Sequence, residues 1–267
     1  NKPGLAGSLL VGFCYAKAIA WVKKIPFIPV NHLEGHIFSS FLEVDGSVRD
    51  QIGFPHLCLT ASGGHTALYM VEDFGTFTLL AQTRDDAAGE AFDKIAKLIG
   101  FGYPGGATIE RLASEANFQD FFHYPRTKHT PNSFYFSFSG LKTAILYDLI
   151  KRGHIDPSTG LPAATLNHEV HTQVASSLLV CIGDIFCKAI SRALEKHPNL
   201  KAITFVGGVA CNKYLRKRFS DLAQEKRMNL FVSPPAFCTD NGAMIAFVGS
   251  YKLTQGATAP LSVDIFE

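Results

Sequence analysis

His32 and His36, in the run Val30-Asn31-His32-Leu33-Glu34-Gly35-His36-Ile37-Phe38, are the residues of this chain best spaced for chemistry. At i and i+4 on a helix both imidazoles project from one face, one turn apart, which suits two nitrogen ligands on one metal ion. The plainer alternative is a pair of half-buried histidines at a helix start, bonded to backbone; a third ligand elsewhere in the chain would decide between them. A zinc-protease reading fails on residue order. That chemistry uses H-E-x-x-H, with Glu directly after the first His. Here Glu34 stands two residues past His32, about 200° round the helix, so its carboxylate points away from the ligand face.

Other stretches carry groups suited to binding. Ala61-Ser62-Gly63-Gly64 sits between two apolar runs as a hairpin tip, where glycines let successive N–H groups face one concavity, an anion-binding nest; an ordinary turn is the alternative. Asp85 to Lys94 opens a helix with acids in its first turn, as the helix dipole favours, and places Asp93 on the side of Gly89 and Glu90. Gly105-Gly106, just before a helix over 107–116, permits close backbone approach by a ligand. Gly207-Gly208-Val209-Ala210-Cys211-Asn212 closes a buried strand and leads into another helix, the arrangement that puts a ligand at a strand's carboxyl end. Asp240 stands where a loop meets a helix, either as its N-cap or as a carboxylate free to face a metal.

These groups need elements to hold them. Hydrophobic spacing predicts a helix over 5–22, with Ser8 and Gly12 one turn apart for close packing, and a strand over 25–30 leading into the histidine helix. Strands follow over 54–60, 65–71 and 77–82. The segment 133–143 alternates like a strand as far as Gly140 and continues as a helix to Lys151. A long helical pattern spans 163–196, with His168 and His171 on a solvated face. Strands at 202–206 and 229–233 flank a helix to Lys226, and an apolar helix covers 243–251. Between 117 and 132 the chain is irregular, and Phe118 to His129 interleaves aromatic and basic residues (Arg126, Lys128, His129), suited to stacking on bases or to tying a loop to the core.

Bulk properties narrow the class. At 267 residues, 47% hydrophobic and 18% charged, the chain can bury one large core or two smaller ones. A net charge of +2 leaves nucleic-acid binding to a local patch. Six cysteines without a C-x-x-C pair read as reduced core thiols of a cytoplasmic protein. No apolar stretch free of polar residues is long enough to span a membrane, so no membrane partner is expected.

Seven motifs, in order and over nearly the whole chain, resemble the TsaD family, the tRNA N6-adenosine threonylcarbamoyltransferases once described as glycoproteases. They are His32-Leu33-Glu34-Gly35-His36, Ser62-Gly63-Gly64-His65-Thr66, Asp85 to Lys94, Tyr103-Pro104-Gly105-Gly106, Phe136 to Thr143, Gly207 to Asn212 and Cys238 to Met244. The resemblance implies an α/β, two-lobed fold of the actin, Hsp70 and sugar-kinase type with nucleotide in the cleft. Residues 1–55 with 235–267 would form one lobe and 56–234 the other. It implies that His32, His36 and Asp240 bind one divalent ion, Fe(II) or Zn(II), and that Thr60, Ala61, Ser62, Gly63, Gly64, Asp93, Gly106 and Asn212 hold threonylcarbamoyl-AMP. Glu110 would join them at the ribose. The implied reaction transfers threonylcarbamoyl to N6 of adenosine 37 in tRNAs reading codons that begin with A, with TsaB-like and TsaE-like helper proteins. No general base is assigned.

Two departures stand out: Asn31 where relatives often have a second His, and Lys2 where they have Gly. The family opens with a β-hairpin bearing an acidic, phosphate-facing residue, and no such segment is seen here, so an N-terminal portion is expected to be missing and this chain to be inactive or incomplete. The competing expectations are a carbamoyltransferase or ATPase of the same superfamily acting on a small molecule, and a catalytically silent complex subunit.

Overall fold

Backbone contacts divide the chain into two units, one of residues 1–50 with 233–267 and the other of residues 51–232. The computed structural model describes residues 1–126, 134–160, 162–163 and 165–265. Along the chain run α1 (Ala6–Lys23), α2 (His32–Phe38), β1 (His56–Ala61), β2 (Thr66–Asp73), β3 (Thr76–Gln82), α3 (Ala88–Leu98), α4 (Gly105–Glu115), α5 (Ser139–Lys151), α6 (His168–Lys196), β4 (Ala202–Val206), α7 (Lys213–Glu225), β5 (Asn229–Val232), α8 (Pro235–Cys238) and α9 (Gly242–Thr254).

In the first unit, α1 packs Leu9, Phe13 and Ala20 against Phe27, Leu261, Val263 and Ile265. The expected strand over 25–30 is a single bridge, Phe27 to Ala259. Pro26 and Pro29 flank that bridge and have no N–H to extend a ladder. The close packing expected at Ser8 and Gly12 is also not found, since a Cβ on Gly12 would meet nothing within 4 Å. In this unit a close helix approach lies instead between α2 and α9. A Cβ on Gly35 would come within 2.9 Å of Ile245 Cδ1 and 3.2 Å of Met244 Cγ.

The second unit is built on a five-stranded sheet in the order β3-β2-β1-β4-β5. β1, β2 and β3 form an antiparallel meander, while β1–β4 and β4–β5 are parallel. β1 and β4 are buried at every residue, whereas the edge strand β3 is largely exposed; continuous apolar runs belong in the middle of a covered sheet. Against it lies α6. That helix is long and apolar enough to cross a membrane by length and composition, but it is interrupted by polar residues such as Gln173, Ser176, Ser177 and Asp184, and 78% of its apolar window is buried. It serves as the core helix.

The register sets the working end. Thr60 pairs with Val206, so β1 and β4 finish side by side, one in the tip Ser62-Gly63-Gly64 and the other in Gly207-Gly208. Gly207 has φ +92°, and a Cβ there would stand 2.3 Å from the Ala61 carbonyl oxygen. Only glycine fits.

The strand expected from 133 to Gly140 proves, over its described residues, to be one bridge, Thr83 to Phe136, with the expected helix beginning at Ser139. The alternation is real, since Phe136 and Phe138 are both buried, but among the described residues no neighbouring strand continues the pairing. Asp85 ends the extended run. Its carboxylate accepts from the N–H groups of Phe138 and Ser139 and from both serine hydroxyls, Ser137 and Ser139, so it starts α5 rather than α3. Asp86 pairs with Lys94. The first-turn placement of both acids in α3 is thereby corrected. α6 begins at His168 rather than 163, capped by Asn167.

Candidate functional site

The candidate metal centre lies wholly in the first unit. Asn31 Oδ1 accepts from Leu33 N at 2.9 Å and Glu34 N at 3.4 Å, starting α2 one residue before His32. This N-cap gives Asn31 a purpose of its own. The helix then sets the imidazoles edge to face, centroids 4.7 Å apart. Asp240 arrives from the other direction, immediately before α9. The cap of that helix is Asn241, whose Oδ1 accepts from Met244 N at 2.9 Å. Asp240 is therefore relieved of the capping role that its position suggested.

Its carboxylate instead meets the histidines. Asp240 Oδ1 lies 3.1 Å from His36 Nε2 and 3.4 Å from His32 Nε2. The three ligand atoms fall within 4.8 Å of one another, the one such group among the described residues. Ion–ligand bonds of roughly 2.0–2.2 Å in tetrahedral geometry separate neighbouring ligands by about 3.4 Å. The donor set therefore fits a divalent ion. His36 is buried while the Asp240 side chain is 78% exposed, so one side of the centre stays open. Two histidines and one carboxylate with an open position form the ligand pattern of catalytic rather than structural metal sites.

The second unit gathers its candidate residues by another route. α3 begins against the hairpin tip: Gly89 N donates to Ser62 O at 3.1 Å, Ala88 N to Thr66 Oγ1 at 2.9 Å. A Cβ on Gly89 would be 2.6 Å from that Ser62 oxygen. One turn on, Asp93 Oδ1 accepts from Gly105 N at 2.7 Å and so caps α4. Along α4, Glu110 Oε1 accepts from Lys213 N and Tyr214 N, at 2.5 and 3.1 Å, and Asn212 Oδ1 accepts from Leu215 N at 2.9 Å. Both carboxylate and amide thus start α7. Gly207 on Ala61 closes the ring back to β1. Three helix N-termini, each an end that favours anions, are tied in sequence: α3 to the hairpin tip after β1, α4 to α3 and α7 to α4.

Within this ring the residues differ. Ser62, Gly63 and Gly64 are accessible, and a Cβ on either glycine would meet nothing within 4 Å. Thr60 and Ala61 are fully buried, on opposite faces of a sheet covered on both sides, so they offer backbone rather than side chain. Close approach is demanded at Gly105, where a Cβ would meet Phe92 O at 2.7 Å; Gly106 has free space around it. Beside Glu110 opens a groove of about 740 Å³, floored by Phe118 stacked on Tyr214 and edged by Lys213. Sequence reasoning missed this groove, because nothing in the spacing of Phe118 and Tyr214 announces their stacking.

The aromatic–basic segment is tied to the core as far as it is described. Ser177 Oγ accepts from Phe121 N and Phe122 N, Ser176 Oγ donates to Gln119 O, and Arg126 bonds both Asp120 and Asp184. Lys128 and His129 lie outside the described residues. His168 and His171 are not simply solvated: His168 pairs with Glu115 at 2.6 Å, and His171 packs edge-on to Phe101. Of the cysteines, all free, Cys58, Cys181 and Cys238 are buried, but Cys14 and Cys211 are exposed, against the expectation of core thiols.

Comparison with known proteins bears on all of this. A model of the family TsaD, tRNA N6-adenosine threonylcarbamoyltransferase, matches residues 1–247. A protein of that name from Syntrophus aciditrophicus is 43% identical over 98% of this chain and 72% of its own length. Another from Thermodesulfovibrio yellowstonii is 42% identical over 98% of this chain and 74% of its own. Among solved structures, full-length HypF in a phosphate- and nucleotide-bound form shares the fold, with TM-score 0.65 at 14% identity over 91% of this chain and 38% of that longer one. With a family model covering most of its residues and relatives above 40% identity, the chain belongs to the TsaD family of tRNA N6-adenosine threonylcarbamoyltransferases.

Proposed function

We propose that this chain transfers a threonylcarbamoyl group from threonylcarbamoyl-AMP to the N6 amine of adenosine in tRNA. Family membership carries the reaction. The Asp240 carboxylate set 3.1 and 3.4 Å from two histidine nitrogens is the observation that supports metal assistance in it. His32, His36 and Asp240 would hold one divalent ion, Fe(II) or Zn(II), which when bound would supply Lewis-acid polarisation of a carbonyl.

The remaining roles belong to the chain's own groups. Ser62, Gly63 and Gly64 offer unobstructed backbone N–H groups to the phosphate. Asp93, Glu110 and Asn212 each spend one oxygen on a helix cap. That leaves Asp93 and Glu110 a second carboxylate oxygen for ribose hydroxyls, and leaves Asn212 its amide N–H₂ to donate. The groove beside Glu110, with its Phe118–Tyr214 stack, suits the adenine face of the adenylate. The overall reading is an actin, Hsp70 and sugar-kinase-like fold working in the cytoplasm with TsaB-like and TsaE-like helpers.

The test is direct. The chain, its helper proteins, threonylcarbamoyl-AMP and unmodified tRNA are incubated, and the tRNA is digested for nucleoside analysis. Threonylcarbamoyladenosine above the helper-only background is expected. Its absence, together with carbamoylation of a small amine, would favour the small-molecule transferase instead.

A further inference from the structure

We propose that the ion pair between Glu34 and Lys252 is the positioning clamp of the metal centre. It lies outside the three ligands and rests on the reading of His32, His36 and Asp240 as a metal site. The Lys252 ammonium donates to Glu34 Oε2 at 2.6 Å, across a sequence separation of 218 residues. The Glu34 side chain is only 6% exposed and that of Lys252 28%. Glu34 stands on α2 between the two histidines, on the opposite face, and Lys252 stands near the end of α9, the helix that Asp240 precedes.

The geometry explains why two anchors are needed. α2 has only seven residues, and a helix that short does not hold its own direction. Gly35 against Met244 and Ile245 fixes how close α2 comes to α9. It does not fix the angle between them. The Glu34–Lys252 pair grips α9 seven residues beyond Ile245, about 10 Å further along its axis. Contact at two separated points sets direction as well as distance, and with it the gap from Asp240 to both imidazoles. An apolar pair would stabilise the same contact at least as well, because a buried carboxylate is costly to desolvate. The ion pair adds orientation.

Charge and position predict opposite signs for one substitution, which makes the proposal testable. Lys252→Met removes a cation from the neighbourhood of a divalent ion, and by Coulomb's law alone would tighten metal binding. As a loosened clamp it weakens binding, by about tenfold or more, the usual scale for groups that orient ligands. The probe is Co(II), titrated into the full metal-stripped chain against a competing chelator and followed by its visible ligand-field bands. Wild type is expected to bind one Co(II), and His36→Ala to lose it. Lys252→Met is expected to bind more weakly with altered bands, and Lys252→Arg to recover both. Lys252→Gln, which also removes the cation and so carries the same opposed signs, is expected to follow Lys252→Met, and carries the test if that variant does not fold. Unchanged or tighter Co(II) binding in a folded Lys252→Met overturns the clamp alone. Failure of the wild type to bind, or full binding by His36→Ala, overturns the metal reading and the clamp with it.

Discussion

The two candidate sites are built in opposite ways. In the first unit the centre is made of side chains: His32, His36 and Asp240 meet each other, while capping is delegated to their neighbours Asn31 and Asn241. In the second unit the site is made of backbone. Its polar side chains Asp93, Glu110 and Asn212 are already engaged as caps, and what they link is a series of helix N-termini running on from the hairpin tip after β1. A side-chain site fails when a side chain is removed. A backbone site fails when something is added.

The largest effect is expected from removal at the first site. His32→Ala, His36→Ala and Asp240→Ala each take away one of the three proposed protein ligands, so metal should be lost and transfer abolished. Elemental analysis of the purified variants checks this; full metal stoichiometry in all three would break the contrast at its root.

Protons offer a second probe, and they single out the second unit. His56 is buried at the start of β1, where desolvation lowers its pKa from the ordinary 6.5 to about 4. Below pH 6.5 the unfolded chain takes up a proton that the folded one refuses, so stability should decline down to about pH 4 and level off there. The window corresponds to at most about 3 kcal/mol. Thermal melts across it should show a slope that His56→Leu flattens.

Addition at the second site comes next. Gly89→Ala drives a methyl into the Ser62 carbonyl, backbone against backbone, so a stability loss of about 1–3 kcal/mol is expected, with weaker adenylate binding. Gly63→Val has room and should leave the fold and the metal intact while obstructing the phosphate. Calorimetry with adenylate, paired with melting curves, separates the two. Equal behaviour would mean that the hairpin tip is only a turn.

Asn212→Asp is the smallest and sharpest change. Aspartate can keep the bond to Leu215 N, so the melting temperature should hardly move. It cannot donate, and it brings negative charge near phosphate, so adenylate affinity should fall about tenfold. Unaltered affinity would assign Asn212 to the cap alone.

The same contrast explains what was legible in the sequence. The histidine pair could be read because helical spacing alone puts i and i+4 on one face. Its partner Asp240 came from family resemblance, since no local pattern joins residues so far apart. Glycine runs pointed to the candidate backbone site, but not to which glycine the packing requires: Gly105 and Gly89 are crowded, Gly106 and Gly63 open. Apolar runs misled where prolines removed donors, at 25–30, or where, among the described residues, pairing stopped at one bridge, before Gly140. The cap at Asp85 was illegible because it acts on α5, whose start at Ser139 lies far along the chain.

Metal restoration tests the central claim most directly. The chain is stripped with chelator, and threonylcarbamoyladenosine formation is followed as Fe(II) or Zn(II) is returned, with His36→Ala alongside. Activity should be lost on stripping, return in full at one ion per chain, and stay absent in His36→Ala at every metal concentration. Full activity in the stripped protein would contradict the account.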